Sequence, residues 1–202
     1  MGLWLAKAPL VLASRSEGRR AILSGAAIAA EILPADVDER AIEASAPDKS
    51  PSALAALLAR AKAAAVAARL RGRLVLGADQ TLALGTERFS KPANAAAARE
   101  QLKALRGATH SLHSAIALVR DGTAVFEHCA VAHLTMRNFS DHFLDAYLAA
   151  AGPSVMASVG AYQVEGAGIQ LFERIVGDHF TILGLPLLPL LAHLRAMGLL
   201  AD

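Results

Sequence analysis

The sequence predicts an α/β fold, a mixed central sheet with flanking helices. Three observations carry that expectation. Between Pro9 and Leu84, short apolar runs with β-branched content alternate with stretches of helical spacing, so the first part reads β-α-β-α-β. Two long alternating runs, residues 109–120 and 123–138, are joined by Asp121-Gly122, the strongest short-range hairpin signal. Helical segments bounded by proline and glycine follow, and with the hairpin they form a second lobe around the same sheet. No repeat, low-complexity linker or composition shift divides the chain, so residues 1–202 are expected to form a single domain.

Pro9-Leu10-Val11-Leu12-Ala13 is the first buried strand. It runs into Ser14-Arg15-Ser16-Glu17-Gly18-Arg19-Arg20, where Ser16 is a good N-cap for a helix that Gly25 ends. Hydroxyls, unpaired N–H groups and arginine meet at that turn, which suits an anion. Ordinary capping with solvated arginines explains the same residues more cheaply. Glu31-Ile32-Leu33-Pro34 is a second strand, followed by Asp36-Val37-Asp38-Glu39. That acid cluster reads either as a solvated loop before a helix or as a contact to a hard divalent cation, which prefers oxygen ligands.

After the punctuation Lys49-Ser50-Pro51-Ser52, residues 52–71 have helical spacing, with Leu54, Leu57, Leu58, Ala61 and Ala65 on one stripe. Lys62 sits mid-helix among alanines, and Gly72 ends the helix. Next, Arg73-Leu74-Val75-Leu76-Gly77-Ala78-Asp79-Gln80-Thr81-Leu82-Ala83-Leu84 is apolar at both ends and polar at its centre. Asp79 and Gln80 either turn a hairpin there or interrupt a buried strand. In the second case the carboxylate needs a cleft, a metal or a partner, because burying it alone is very costly.

Gly85-Thr86-Glu87-Arg88 is turn-like, and Pro92 fixes the backbone beside Lys91. Asn94 caps a helix over residues 95–106, with Gly107 as its stop. Ser140 caps a helix reaching residue 150, which Gly152-Pro153 breaks. Three glycines, Gly160, Gly166 and Gly168, surround Glu165, so the backbone there must bend or approach something closely. Residues 169–176 read as a strand, Gly177-Asp178 as a turn, and Pro186 opens a helix over residues 187–197 that Gly198 ends.

Composition excludes several classes of function. Net charge is +2 with no dense basic block, so bulk electrostatics does not argue for nucleic acid. The single cysteine, Cys129, excludes a disulfide framework and reads as a small buried hydrophobe. The N-terminus has no signal-peptide pattern, and the longest apolar stretch, residues 181–191, is broken by Gly184, Pro186 and Pro189. It falls short of the roughly 20 residues a spanning helix needs. A soluble cytoplasmic protein without a membrane partner is expected. His110, His113, His128 and His133 lie in the hairpin, where exposed strand positions account for them.

Ser14, Arg19, Glu39, Lys62, Asp79, Gln80, Lys91 and Glu165 stand at strand ends, mid-helix or in Gly/Pro turns. Cations and carboxylates without an activated nucleophile suit metal-assisted phosphoryl chemistry. In it, cations neutralise a polyphosphate while a carboxylate positions or deprotonates water. Neither a G-x-x-x-x-G-K-S/T nor a G-x-G-x-x-G motif is present, which excludes the P-loop and Rossmann readings.

Taken in order, these residues resemble the Maf-like nucleoside triphosphate pyrophosphatases over nearly the whole chain. Leu12-Ala13-Ser14-Arg15-Ser16-Glu17-Gly18-Arg19-Arg20 is similar to that family's opening, and Asp36-Val37-Asp38-Glu39 to its acidic motif. Lys62, Gly77-Ala78-Asp79-Gln80, Lys91-Pro92, Leu105-Arg106-Gly107-Ala108-Thr109-His110 and Gly184-Leu185-Pro186-Leu187 match further pieces. The resemblance implies two lobes around a cleft, as in the Maf and inosine triphosphatase folds. It implies hydrolysis of a nucleoside triphosphate to the monophosphate and pyrophosphate with Mg²⁺ or Mn²⁺. Asp79 aligns with the general base and, with Glu39, with the metal-handling residues. Ser14, Arg19, Lys62 and Lys91 align with substrate-binding positions. A homodimer is what the family suggests, with no stable nucleic-acid partner. Gln80 and the glycine-flanked Glu165 resemble the branch acting on 7-methyl-GTP, since a carboxylate there can accept from guanine N1–H and the N2 amine. Two departures are Glu17 for the usual proline and Gly18 for a larger residue associated with base choice. The alternatives are a pyrophosphatase preferring dTTP and UTP, and a non-catalytic nucleotide-binding regulator of cell division.

Overall fold

The computed structural model describes residues 2–201. Its strands are β1 (Leu10–Leu12), β2 (Ala30–Ile32), β3 (Val75–Leu84), β4 (Glu87–Phe89), β5 (Thr109–Arg120), β6 (Thr123–Met136) and β7 (Phe172–Val176). Its α-helices are α1 (Glu17–Gly25), α2 (Glu39–Ser45), α3 (Pro51–Ala67), α4 (Ala95–Leu105), α5 (Asp141–Ala151), α6 (His179–Ile182) and α7 (Leu187–Ala196). The sheet order is β2-β1-β3-β5-β6-β7, with β4 paired to β3. β1 runs parallel to both β2 and β3, whereas β3/β4 and β6/β7 are antiparallel, so the expected mixed α/β sheet is present.

Packing divides the chain into two compact units. The first holds the residues up to Gln80, Ser114–Ala130 and those from Asp178 onward; the second holds Thr81–His113 and Val131–Gly177. β3, β5 and β6 each run from one unit into the other.

In the first unit the strands alternate strictly. Leu10, Leu12, Leu76, Ala78, Ile116 and Leu118 pack with Ile22 and Leu23 of α1 and with Leu187, Leu190 and Leu194 of α7. Their neighbours Val11, Ala13, Val75 and Val119 pack with Ala63, Val66 and Ala67 of α3. Two separate apolar layers therefore cover the two faces, each fully buried leucine contributing about 2 kcal/mol. The second face is unusually close. At Gly77 an added Cβ would lie 2.0 Å from the Ala59 carbonyl oxygen and 2.7 Å from the Ala63 nitrogen. The alanines of α3 let the helix backbone settle onto β3 at that point, which gives the alanine-rich stretch a packing reason beyond helix propensity.

Several caps expected from the sequence form as side-chain to backbone bonds. Ser16, Asn94 and Ser140 accept from Arg19, Ala97 and Phe143; Ser50, which the sequence marked only as punctuation before a helix expected from residue 52, accepts from Ala53 and starts that helix at Pro51. Asp121 (φ 49°) and Gly122 (φ 79°) turn the β5–β6 hairpin with both residues left-handed, as a type I′ turn requires. Four expectations need correction. α3 ends at Ala67 rather than at residue 71, because residues 68–72 close into turns bonded back to Ala64, Val66 and Ala67. Glu87 and Arg88 are strand, paired with Leu84 and Ala83. Residues 167–171 form a 3-10 turn, so the strand expected from residue 169 starts at Phe172. Cys129 is only partly buried, although burial still raises its thiol above the ordinary range.

The second unit buries an aromatic cluster. His110 Nε2 lies 2.7 Å from the Tyr162 hydroxyl, and the Phe172 ring packs on both. Tyr147 donates its hydroxyl proton to the Ala161 carbonyl oxygen at 2.9 Å. His110 is only 1% exposed, which corrects its reading as an exposed strand position. Burial lowers its pKa from 6.5 to about 4, because the imidazolium would be desolvated. The unfolded chain therefore binds one proton more than the folded one between pH 4 and 6.5. Stability is full above pH 6.5 and falls as the pH drops toward 4, by about 3 kcal/mol from this group. Urea midpoints measured from pH 7.5 down to 4.5 are expected to decline, and the His110→Gln variant to decline less steeply.

Candidate active site

The first unit brings five of the residues singled out in the sequence to one place. β3 runs unbroken through Asp79 and Gln80, so the hairpin-turn reading falls away. Strand alternation sends Gly77 and Asp79 to the α3 face. Asp79 is buried, and its Oδ1 accepts from Lys62 Nζ at 2.6 Å. Lys62 stands one turn before Val66, on the side of α3 that meets the strand. Its Nζ also reaches Glu39 Oε1, at 2.9 Å, from the first residue of α2. One ammonium thus joins two carboxylates, and its third N–H is used by neither. Glu39 is placed by Asp38, whose side chain caps α2 by accepting from the Ala41 N–H at 3.0 Å.

The turn between β1 and α1 supplies the rest. Ser14 Oγ is buried and accepts from the Ser16 N–H at 3.2 Å and from Arg19 Nη1 at 3.2 Å. Arg19 also donates through Nη1 to the Ala78 carbonyl oxygen at 2.8 Å, and through Nε to the Gly184 carbonyl oxygen at 2.9 Å. Burial pushes the guanidinium pKa down, and the charges of Asp79 and Glu39 push it back up. It remains a cation, with Nη2 outside these three bonds. Gly18 lies exposed in the first turn of α1, where an added Cβ would meet only Ser16 Oγ, at 3.8 Å.

Gln80 points to the opposite face of β3. Its Nε2 donates toward Ser114 Oγ (2.9 Å) and the carbonyl oxygens of Ile182 (3.0 Å) and Thr181 (3.2 Å). Lys91 and Glu165 belong to the second unit, and both are exposed. Ser114, Thr181 and the carbonyl of Gly184 were not foreseen as parts of the site. They come from segments far along the chain, and only the Gly184-Leu185-Pro186 motif hinted at one of them.

Among the described residues no group of three or more His, Cys, Asp or Glu is gathered as a metal cage. Glu39 Oε1 and Asp79 Oδ1 nevertheless converge on one cationic point, Lys62 Nζ. Two carboxylates, with phosphate oxygens and water completing the shell, are the protein share that Mg²⁺ ordinarily takes, so the residues fit such an ion.

A family model described as Maf-like protein matches residues 9–197. The chain belongs to the Maf-like family. A curated relative from Rhodopseudomonas palustris (strain BisB18), named nucleoside triphosphate pyrophosphatase, is 55% identical over 100% of both chains. One from Bradyrhizobium diazoefficiens with the same name is 56% identical, again over 100% of both. A Mesorhizobium japonicum protein named 7-methyl-GTP pyrophosphatase is 54% identical over 94% of this chain and 96% of its own. Among solved structures, a HAM1 protein from Coxiella burnetii aligns with a TM-score of 0.41 at 18% identity, covering 65% of this Maf-like chain and 74% of its own. No helix among the described residues is long and apolar enough to cross a membrane.

Proposed function

We propose that this Maf-like protein hydrolyses a nucleoside triphosphate to the monophosphate and pyrophosphate. The observation that carries the reading is Lys62, held at 2.6 Å by Asp79 and at 2.9 Å by Glu39, in the same unit as Ser14 and Arg19. Ser14, with a hydroxyl proton to give, and Arg19, through Nη2, face the phosphates. Lys62 moves its ammonium from carboxylate to phosphate, and Lys91 is a further substrate-binding cation in this reading. Asp79 takes the proton from the attacking water, the role open to a carboxylate that is buried but hydrogen-bonded. Glu39 and Asp79 would hold the divalent cation, Mg²⁺ or Mn²⁺, which would supply charge against the phosphates and a more acidic water. The names of the full-length relatives support the same reaction class.

For the base, the Mesorhizobium relative's name and the carboxylate of Glu165 favour 7-methyl-GTP, whereas Gly18 offers no side chain to stack on a purine. The test is kcat/KM for 7-methyl-GTP, GTP, dTTP and UTP with each metal, because specificity is a ratio of that quantity. The reading expects 7-methyl-GTP to lead and Glu165→Gln to narrow its lead. A dTTP or UTP preference would reverse the assignment of base. Tight nucleotide binding without turnover would make the protein a binding module.

A further inference from the structure

Lys62 holds the position a divalent cation would need. Its Nζ lies 2.6 Å from Asp79 Oδ1 and 2.9 Å from Glu39 Oε1, so one ammonium fills the point on which both carboxylates converge. The three groups come from elements of unequal rigidity. Asp79 belongs to β3 and Lys62 to α3, and both side chains are nearly buried. Glu39 opens α2, a helix with no buried residue, and its own side chain is 51% exposed. Arg19 is a second cation in the field of the same two carboxylates, tied to Ser14 Oγ and to the Ala78 and Gly184 carbonyl oxygens. Two carboxylates thus face two cations, and the charges of these four groups balance.

Glu39 and Asp79 cannot both turn to a divalent cation while Nζ stays between them, because like charges at that distance repel strongly in a partly buried site. Of the two resident cations, Lys62 is the one free to leave. Its ammonium rides on a flexible four-carbon stem and is bonded to the carboxylates themselves, whereas the Arg19 guanidinium is fixed by three oxygens from three segments. A triphosphate offers that ammonium new oxygens and brings the negative charge that a further cation requires. We infer that Lys62 is a placeholder for the divalent cation: its ammonium holds Glu39 and Asp79 together until a nucleotide's phosphates draw it off, so that cation and nucleotide enter as a pair. By linkage each then raises the affinity for the other by the same factor. The part played by the nucleotide rests on the proposed hydrolysis; the exclusion of the cation by Lys62 does not.

The test measures Mn²⁺ binding to the full chain without nucleotide, by electron paramagnetic resonance of the free ion, for wild type, Lys62→Met and Lys62→Arg. Lys62→Met keeps a long stem and removes the charge, while Lys62→Arg keeps a cation. Lys62→Met is expected to bind Mn²⁺ about tenfold or more tightly than wild type, and Lys62→Arg no more tightly than wild type. Mn²⁺ should accordingly raise the melting temperature of Lys62→Met more than that of wild type. Should Lys62→Met fail to fold, wild type decides through its Lys62 Nζ nitrogen-15 resonance. That resonance should move when GTP or dTTP is added in EDTA, and should stay in place with millimolar Mg²⁺ alone. Equal Mn²⁺ affinity in wild type and Lys62→Met would overturn the inference and leave a structural ion pair. So would an Nζ resonance that moves with Mg²⁺ alone and not with nucleotide. Tighter Mn²⁺ binding by Lys62→Met, with no turnover of any nucleotide by wild type, would remove the proposed reaction and keep Lys62 as the placeholder.

Discussion

Asp79→Asn is expected to lower kcat by about 10²- to 10⁴-fold while leaving the fold in place. The substitution keeps the volume of a side chain that is only 7% exposed, and it keeps an oxygen to accept from Lys62 Nζ. Lys62 also retains Glu39 at 2.9 Å, so no buried ammonium is left alone. What disappears is the negative charge and the site that takes a proton from water. Steady-state kinetics beside a thermal melt separates the two effects. A melt shifted by only a few degrees with turnover lost fits a catalytic role. Turnover at the wild-type level removes Asp79 from the reaction. Asp79→Ala is the harsher change, because it leaves a cavity and one Lys62 bond unmade.

The second large effect lies two residues earlier. Gly77→Ala is expected to cost about 3 kcal/mol or more, at the upper end of overpacking. The new Cβ would stand 2.0 Å from the Ala59 carbonyl oxygen and 2.7 Å from the Ala63 nitrogen. Both are backbone atoms, which cannot swing aside as a side-chain tip can. Relief requires α3 to lift away from β3, and Lys62, which stands between Ala59 and Ala63 in that helix, lifts with it. Stability and activity should therefore fall together, unlike in Asp79→Asn. Chemical denaturation reads the first, and nucleotide turnover of whatever protein remains folded reads the second. A Gly77→Ala protein with a wild-type midpoint would contradict the close packing.

Features set by local chemistry were legible in the sequence. Ser16, Asn94 and Ser140 announce helix starts because their oxygens sit three residues before an unpaired N–H. Asp121-Gly122 announces a hairpin because both residues tolerate left-handed backbone. The polar centre of β3 was legible as a conflict, since a carboxylate inside an apolar strand needs a partner. Lys62, in the preceding helix, meets it at 2.6 Å.

Long-range geometry hid the remainder. The burial of His110 depends on Tyr162 and Phe172, which approach it from distant parts of the chain. Residues 167–171 alternate like a strand but close into a 3-10 turn, where Gly168 packs against the Gln163 backbone so tightly that a Cβ would lie 2.4 Å from its carbonyl oxygen. α6 has only four residues, too few for any periodicity to register. Gln80 reads in the sequence as a neighbour of the reactive carboxylate. Its partners Thr181 and Ile182 lie more than a hundred positions away, and they turn it into a tie between strand and helix end.

The most direct test of the proposed reaction is phosphorus-31 NMR of the wild-type protein with 7-methyl-GTP, GTP, dTTP or UTP and Mg²⁺ or Mn²⁺. Pyrophosphate and the nucleoside monophosphate should grow in equal amounts, with no diphosphate. Orthophosphate appearing with a nucleoside diphosphate, or no new signal with any nucleotide and either metal, would contradict the account.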